Sequence, residues 1–132
     1  MKNSLKQGMS LSFKKMITDN LIASNQNLGD NLYATTPSLL LLMEQTCNIL
    51  LNKHLPKEHT TITAEINIKH TKPIYIEETV TTSVHLKYID DEKLFFDFVL
   101  LDDENDVIAI GAHERIIVNK NNLIAEPKAP KV

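Results

Sequence analysis

The clearest pattern along the chain is a period-two alternation over residues 60–70. Ile62, Ala64, Ile66, Ile68 and His70 share one parity, and Thr61, Thr63, Glu65, Asn67 and Lys69 hold the other. Alternation of this kind predicts a strand with one buried face, and it sets His70 on the apolar side. Residues 79–90 predict a second strand, with Val80, Thr82, Val84, Leu86 and Tyr88 opposite Thr81, Ser83, His85 and Lys87. Asp90-Asp91-Glu92-Lys93 then reads as a hairpin connection into a strand over Leu94–Leu101, which is apolar on both faces except at Asp97. The acidic run Asp102–Asp106 is a further turn, and Val107–Val118 is the last strand. Ahead of all of these, Met9–Phe13 alternates as a short first strand.

Residues 36–53 follow a different rhythm. Thr36 before Pro37 reads as a capping hydroxyl residue followed by proline at the first helical position, where the missing N–H costs nothing. From Ser38 to about Lys53 there is no Gly or Pro and leucine predominates, so a helix is predicted, with Pro56 as its stop. Its first two turns are apolar nearly all round, and Cys47, Leu50 and Leu51 continue a stripe. Burial on most sides is the expectation, as if a sheet curled around the helix. Residues 19–35, rich in Asn, Asp and Ser, read as an irregular crossing loop with one short turn. One buried helix followed by a meander of strands is an α+β order. The reading is a single domain over residues 1–120 and a Pro- and Lys-containing tail over residues 121–132. Strands apolar on both faces predict that the sheet also meets another subunit.

Composition narrows the function mainly by exclusion. The 132 residues carry a net charge of -3, which removes the positive field that nonspecific nucleic-acid binding needs. The longest apolar run, Leu39–Met43, ends at a glutamate and falls far short of the roughly 18 residues of a membrane span. The first residues include lysines but no secretory apolar stretch, and the expected location is cytoplasmic. Gly8, Gly29 and Gly111 are too far apart to assemble a nucleotide-binding loop, and no cofactor is expected. His54 and His59 have no third ligand nearby in sequence, so no metal is expected either. The lone Cys47 lies in the helix stripe and reads as a core thiol.

Three stretches carry a resemblance: Ala34–Glu44, Glu65–Pro73 and Gly111–Arg115. Together they resemble the hot-dog-fold thioesterases of the fluoroacetyl-CoA thioesterase-like family, over roughly residues 8–120. The resemblance implies a long central helix wrapped by a curved antiparallel sheet of about five strands. It also implies a catalytic set of a threonine before the helix, a glutamate within it and a histidine ending the next strand. Thr36, Glu44 and His70 reproduce the family's spacings of eight and twenty-six residues. At the family's Gly-Thr pair, associated with binding the thioester carbonyl, this chain has Thr63-Ala64, and where the family has a turn glycine it has Glu77. Residues 24–32 hold none of the aromatic side chains with which the fluoroacetyl-specific enzyme covers its site. The implied activity is hydrolysis of a short-chain acyl-CoA to free acid and CoA.

Each candidate also has a plain structural reading. Thr36 is explained by capping alone, although a helix N-terminus also favours a developing oxyanion. Glu44 among leucines needs a partner, which a lysine at the rim would supply. Arg115 is either structural or a ligand for the CoA phosphates or for a carboxylate at a subunit interface. Lys69 and Lys72 flank His70 and either add positive potential for CoA or form a solvated face. Eight helical residues separate Thr36 from Glu44 by roughly 12 Å along the axis, too far for direct contact in one chain. The expectation is therefore a site formed at the interface of a homodimer, or within a tetramer. The rival functions are a noncatalytic acyl-CoA or fatty-acid binding module and an acyl-CoA dehydratase, whose paired Asp and His on one helix this chain lacks.

Overall fold

The computed structural model describes residues 3–123; most of the expected tail lies outside the described residues. The chain runs β1 (Ser10–Met16), two short 3₁₀ turns (Asp19–Leu21 and Ala23–Gln26), α1 (Thr36–Asn52), β2 (His59–His70), β3 (Thr79–Asp90), β4 (Lys93–Leu101) and β5 (Val107–Asn119). A last 3₁₀ turn covers Lys120–Leu123. All five strands form one antiparallel sheet in the order β1-β3-β4-β5-β2. This is the α+β arrangement that the resemblance implies, with α1 laid across the inner face of the sheet.

Alternation within the strands and a 3.6-residue stripe on α1 generate the core. Leu39, Leu42, Met43, Cys47, Leu50 and Leu51 are buried on the helix, against Val80, Val84, Leu86, Leu94, Phe96, Phe98 and Leu100 of the sheet. Burial of the helix on most sides does not hold in the chain as it stands, since Leu40 is half-buried and Leu41 is 44% exposed. The sheet covers one flank of α1 and leaves the other open. The crossing loop belongs to the core, because Leu21, Ile22, Ala23 and Ala34 are buried and Ile22 pairs with Ala34.

Two local details at the site differ from the sequence reading, and elsewhere a register shift after Leu86 turns Tyr88 away from the face of Val80 and Val84 and leaves it 51% exposed. The N-cap is Thr35, not Thr36: its side chain accepts from the Ser38 N–H and its carbonyl takes the first helical bond, from Leu39 N–H. Proline suits the second helical position as well as the first, because both N–H groups lack intrahelical partners. Gln26 decides between the two threonines, accepting from the Thr35 hydroxyl (2.5 Å) and donating to Ser38 Oγ (2.7 Å).

The second difference is a bulge between Thr63 and Glu65 that breaks the alternation of β2. Thr63 pairs with buried Arg115, Ile66 with buried His113 and His70 with buried Ala109, while Ile62 is 44% exposed. Thr61 and Thr63 thus share the helix-facing side with Ile66, Ile68 and His70, and Ala64 has no partner in the register. A bulge inserts one residue and so reverses the parity on one side of it.

Gly111 sits where β2 and β5 approach closely. A Cβ there would lie 2.0 Å from the Asn67 carbonyl oxygen and 2.8 Å from the Phe98 ring. The nearer obstacle is backbone, so Gly111→Ala is expected to destabilise the fold by about 3 kcal/mol. Chemical denaturation followed by circular dichroism checks this; a midpoint equal to that of the parent chain would show that the strands adjust freely.

Candidate active site

The start of α1 and the end of β2 are pinned together by backbone. Ala34 N–H donates to the Ile74 carbonyl (2.8 Å), and Tyr33 pairs with Tyr75. Thr36 follows Ala34 by two residues and His70 precedes Ile74 by four, so their side chains meet: Thr36 Oγ1 lies 2.9 Å from His70 Nδ1. With Thr35 as the cap, the Thr36 hydroxyl is free to make this contact.

The proton on His70 can be assigned from the other side of its ring. Nε2 lies 3.1 Å from the Lys72 carbonyl oxygen, which only accepts, so in the neutral ring Nε2 carries the hydrogen. Nδ1 is then the acceptor, and the Thr36 hydroxyl donates to it. A hydroxyl donating to a neutral imidazole at the first residue of a helix is the arrangement of a nucleophile with its general base. Tyr33, Thr71 and Pro73 line the same open cleft. Tyr33 supplies an aromatic side chain one position beyond the segment in which the sequence reading looked for one.

Glu44 lies in a second cleft, farther along the same flank of α1. It accepts a hydrogen bond from Thr63 Oγ1 (2.6 Å) rather than pairing with a lysine, and the bulge in β2 is what turns Thr63 toward it. Asn48, Asn52, Thr60, Thr61, Ile62 and Arg115 complete this lining. Within one chain, Thr36 and His70 are together and Glu44 stands apart from them with Thr63.

Arg115 is 3% exposed and turned inward from β5. It donates to Thr61 Oγ1 (2.8 Å), Asn48 Oδ1 (3.3 Å) and His113 Nε2 (3.2 Å), and among the described residues it has no ion pair. This burial takes Arg115 away from phosphates in solvent and leaves it at the wall of the Glu44 cleft. Because His113 Nε2 accepts from Arg115, its hydrogen sits on Nδ1, a buried atom without a partner. Burial, and then the neighbouring Arg115 cation, push His113 down to about 4, and the ring remains neutral. Cys47 lies 3.4 Å from the same Nε2, and burial pushes its thiol up to about 12, which makes it a core residue rather than a nucleophile.

Among the flanking lysines, Lys69 is exposed, whereas Lys72 is bound to Asp102 (2.7 Å) and Asp106 (2.8 Å). Two carboxylates on one ammonium remove Lys72 as a source of positive potential for CoA. Asn48, which holds Arg115, and the Lys72 carbonyl, which orients His70, are the parts of the site that the sequence reading missed. Neither has a local signature, because a helix-face Asn and a backbone carbonyl look alike at every position.

Residues 17–121 match the family of the fluoroacetyl-CoA-specific thioesterase. No curated protein matches the chain. Among solved structures, the fluoroacetyl-CoA thioesterase FlK is similar at 17% identity, covering 91% of this chain and 93% of that one with a TM-score of 0.84. A hot-dog-like protein from Thermanaerovibrio acidaminovorans is 19% identical over 89% of this chain and 86% of its own, with a TM-score of 0.78. A Staphylococcus aureus protein solved in complex with CoA is 11% identical over 90% and 76%, with a TM-score of 0.74. At these identities the likeness establishes the hot-dog fold. No helix among the described residues is long and apolar enough to cross a membrane.

Proposed function

Because the chain belongs to the fluoroacetyl-CoA-specific thioesterase family, and is by that membership a thioester hydrolase of the acyl-CoA thioesterase type, we propose that it hydrolyses a short-chain acyl-CoA in the cytoplasm, at a site shared between two copies of the chain. The observation that carries this reading is the hydrogen bond from Thr36 to His70 at the N-terminus of α1.

In this mechanism Thr36 Oγ1 attacks the thioester carbonyl while His70 Nδ1 takes its proton. The C–S bond then breaks, and the proton passes from His70 to the departing CoA sulfur. The oxyanion forms at the N-terminus of α1, where the positive end of the helix dipole stabilises it. Glu44 removes a proton from the water that attacks the acyl-threonine and returns it to the Thr36 oxygen as the bond from that oxygen to the acyl carbon breaks and the acid leaves. Thr63 occupies one oxygen of Glu44 and holds the carboxylate in place, and Arg115 belongs to the wall of the same cleft, whereas Ala64, unpaired at the bulge, is not among the residues that line it.

The partner copy joins the two halves. β2 lies at one edge of the sheet and is twelve residues long with no proline, whereas the opposite edge, β1, is shorter and carries Lys14 and Lys15, residues that discourage pairing. If β2 pairs antiparallel with its own copy about a two-fold axis at Asn67, Ile66 meets the partner's Ile68, and with Ala64 as the extra residue of the bulge Thr63 falls opposite the partner's His70. Adjacent strands lie about 4.8 Å apart, which brings Glu44 of one copy to the Thr36–His70 pair of the other. The same pairing covers Leu41 and Ile62, both 44% exposed beside the Glu44 cleft.

The lining of that cleft supports a short acyl group. Apart from Ile62 its side chains are polar or charged, and a long alkyl chain would strip water from them without replacing its hydrogen bonds. A panel of acyl-CoA thioesters with CoA thiol release as the readout tests this. Acetyl-CoA or a similarly short, polar thioester is expected to exceed octanoyl-CoA in kcat/KM by roughly tenfold or more. Equal or faster turnover of the long chain would overturn the short-chain assignment, and saturable binding without thiol release would overturn hydrolysis.

A further inference from the structure

Lys72 is the second residue after His70, and its carbonyl is the group that fixes the proton of His70 on Nε2. Its side chain leaves the opposite way, to the turn between β4 and β5, where it binds Asp102 (2.7 Å) and Asp106 (2.8 Å). That turn is itself internally braced: Asp102 Oδ1 accepts from the N–H groups of Glu104 and Asp106, and Asp102 N–H donates to the Asp106 carbonyl. Asp102 is only 11% exposed, so the ammonium meets a sheltered, pre-ordered carboxylate rather than a loose surface acid. On the other flank, Thr71 donates from its N–H to Ile108 and from its hydroxyl to Val107. The bend after β2 is therefore held from both sides, and one of those holds is an ion pair with a turn remote from the substrate clefts.

We infer that the Asp102–Lys72–Asp106 clamp is a positioning device for catalysis, which holds the Lys72 carbonyl against His70 Nε2 and so keeps Nδ1 unprotonated toward Thr36. The inference rests on the proposed roles of Thr36 and His70 and adds Asp102 and Asp106, which line neither cleft and act through Lys72 at the edge of the Thr36–His70 cleft. Without the clamp the carbonyl drifts, the ring samples the other tautomer, and Nδ1–H can no longer take the Thr36 proton. Lys72 and Asp106 are 42% and 56% exposed, and water screens a pair whose cation is that open, so the clamp's effect falls on geometry more than on folding. The carboxylate of Asp102 is held below the usual range by its bonds to Lys72 and to backbone N–H groups, which keeps the clamp ionised at neutral pH.

Lys72→Met is expected to lower kcat about tenfold while KM changes by less than about twofold, as displacement of a catalytic group does. Asp102→Asn, whose remaining oxygen still braces the turn, moves kcat the same way, and it serves if Lys72→Met does not fold. Lys72→Arg, which restores the cation, recovers most of the loss. The deciding readout is the ring nitrogen resonances of His70, assigned by long-range 15N–1H correlation. The parent chain and Lys72→Arg show the Nε2–H tautomer, and Lys72→Met shows a mixture. A kcat within twofold of the parent, or a reduced kcat with the tautomer unmoved, overturns the clamp. His70→Ala distinguishes the two levels: its full turnover would overturn the catalytic reading and the clamp with it, whereas a dead His70→Ala beside an unaffected Lys72→Met removes the clamp alone.

Discussion

Glu44→Gln and His70→Ala each lower the rate of CoA release by roughly 10²–10⁴-fold, the range expected when a positioned acid–base group is lost. The glutamine is nearly isosteric and its amide oxygen still accepts from the Thr63 hydroxyl, so the substitution removes charge and basicity while leaving the contact in place. A melting temperature close to the parent's is therefore part of the prediction, and it separates lost chemistry from lost fold. His70→Ala removes the acceptor of the Thr36 hydroxyl in a partly buried, partly solvated cleft, which costs about 1 kcal/mol of stability. Its main effect is on kcat, because the threonine hydroxyl keeps its proton. Turnover within twofold of the parent in both variants would remove the assignment of the site.

Mixing these two inactive variants restores activity. In a site shared across a two-fold axis, a heterodimer of Glu44→Gln with His70→Ala has one site missing both groups and one site with both intact. Random exchange makes half of the dimers mixed, so about a quarter of the parent activity returns per subunit. A site contained within one protomer behaves otherwise, because every copy then lacks one of its own groups and no mixture recovers turnover. Separately tagged chains, unfolded together and refolded or co-expressed, give the measurement. No recovery in a confirmed heterodimer sinks the shared site, and so would a stable monomer with full activity in light scattering.

The resemblance named Thr36, Glu44 and His70 together, whereas the structure joins Thr36 to His70 and sets Glu44 apart beside Thr63. The spacing of Thr36 and Glu44 on a helix is fixed by the rise per residue, and it correctly indicated that they stand apart. Which threonine caps the helix was decided by Gln26, twelve residues upstream of Ser38 and brought there by the crossing loop. That choice matters because a capping hydroxyl is occupied, and Thr36 is free only because Thr35 caps. The bulge beside Ala64 had no signature in the alternation, which runs through it unbroken in the one-letter sequence. A bulge arises from pairing with β5, and its result is to carry Thr63 to the side where Glu44 lies.

The cations diverge in a similar way. As residue types, Lys72 and Arg115 are both suited to holding an anion, and the sequence treats them alike. In the fold, Lys72 is neutralised by two aspartates thirty or more residues away, while Arg115 is buried among neutral partners beside Glu44. Their environments come from long-range packing, which composition does not encode.

While the candidate triad came through the resemblance to a known family, the sequence by itself determined the elements, one helix from its capping residues and lack of interior glycine and the strands from their alternation. These depend on local periodicity and backbone chemistry, which each short segment carries within itself. Only the tertiary structure decided which hydroxyl is free, which way Thr63 turns and which cation is ion-paired. Each of those depends on a partner distant in the chain, and the distance between partners is set by the fold alone.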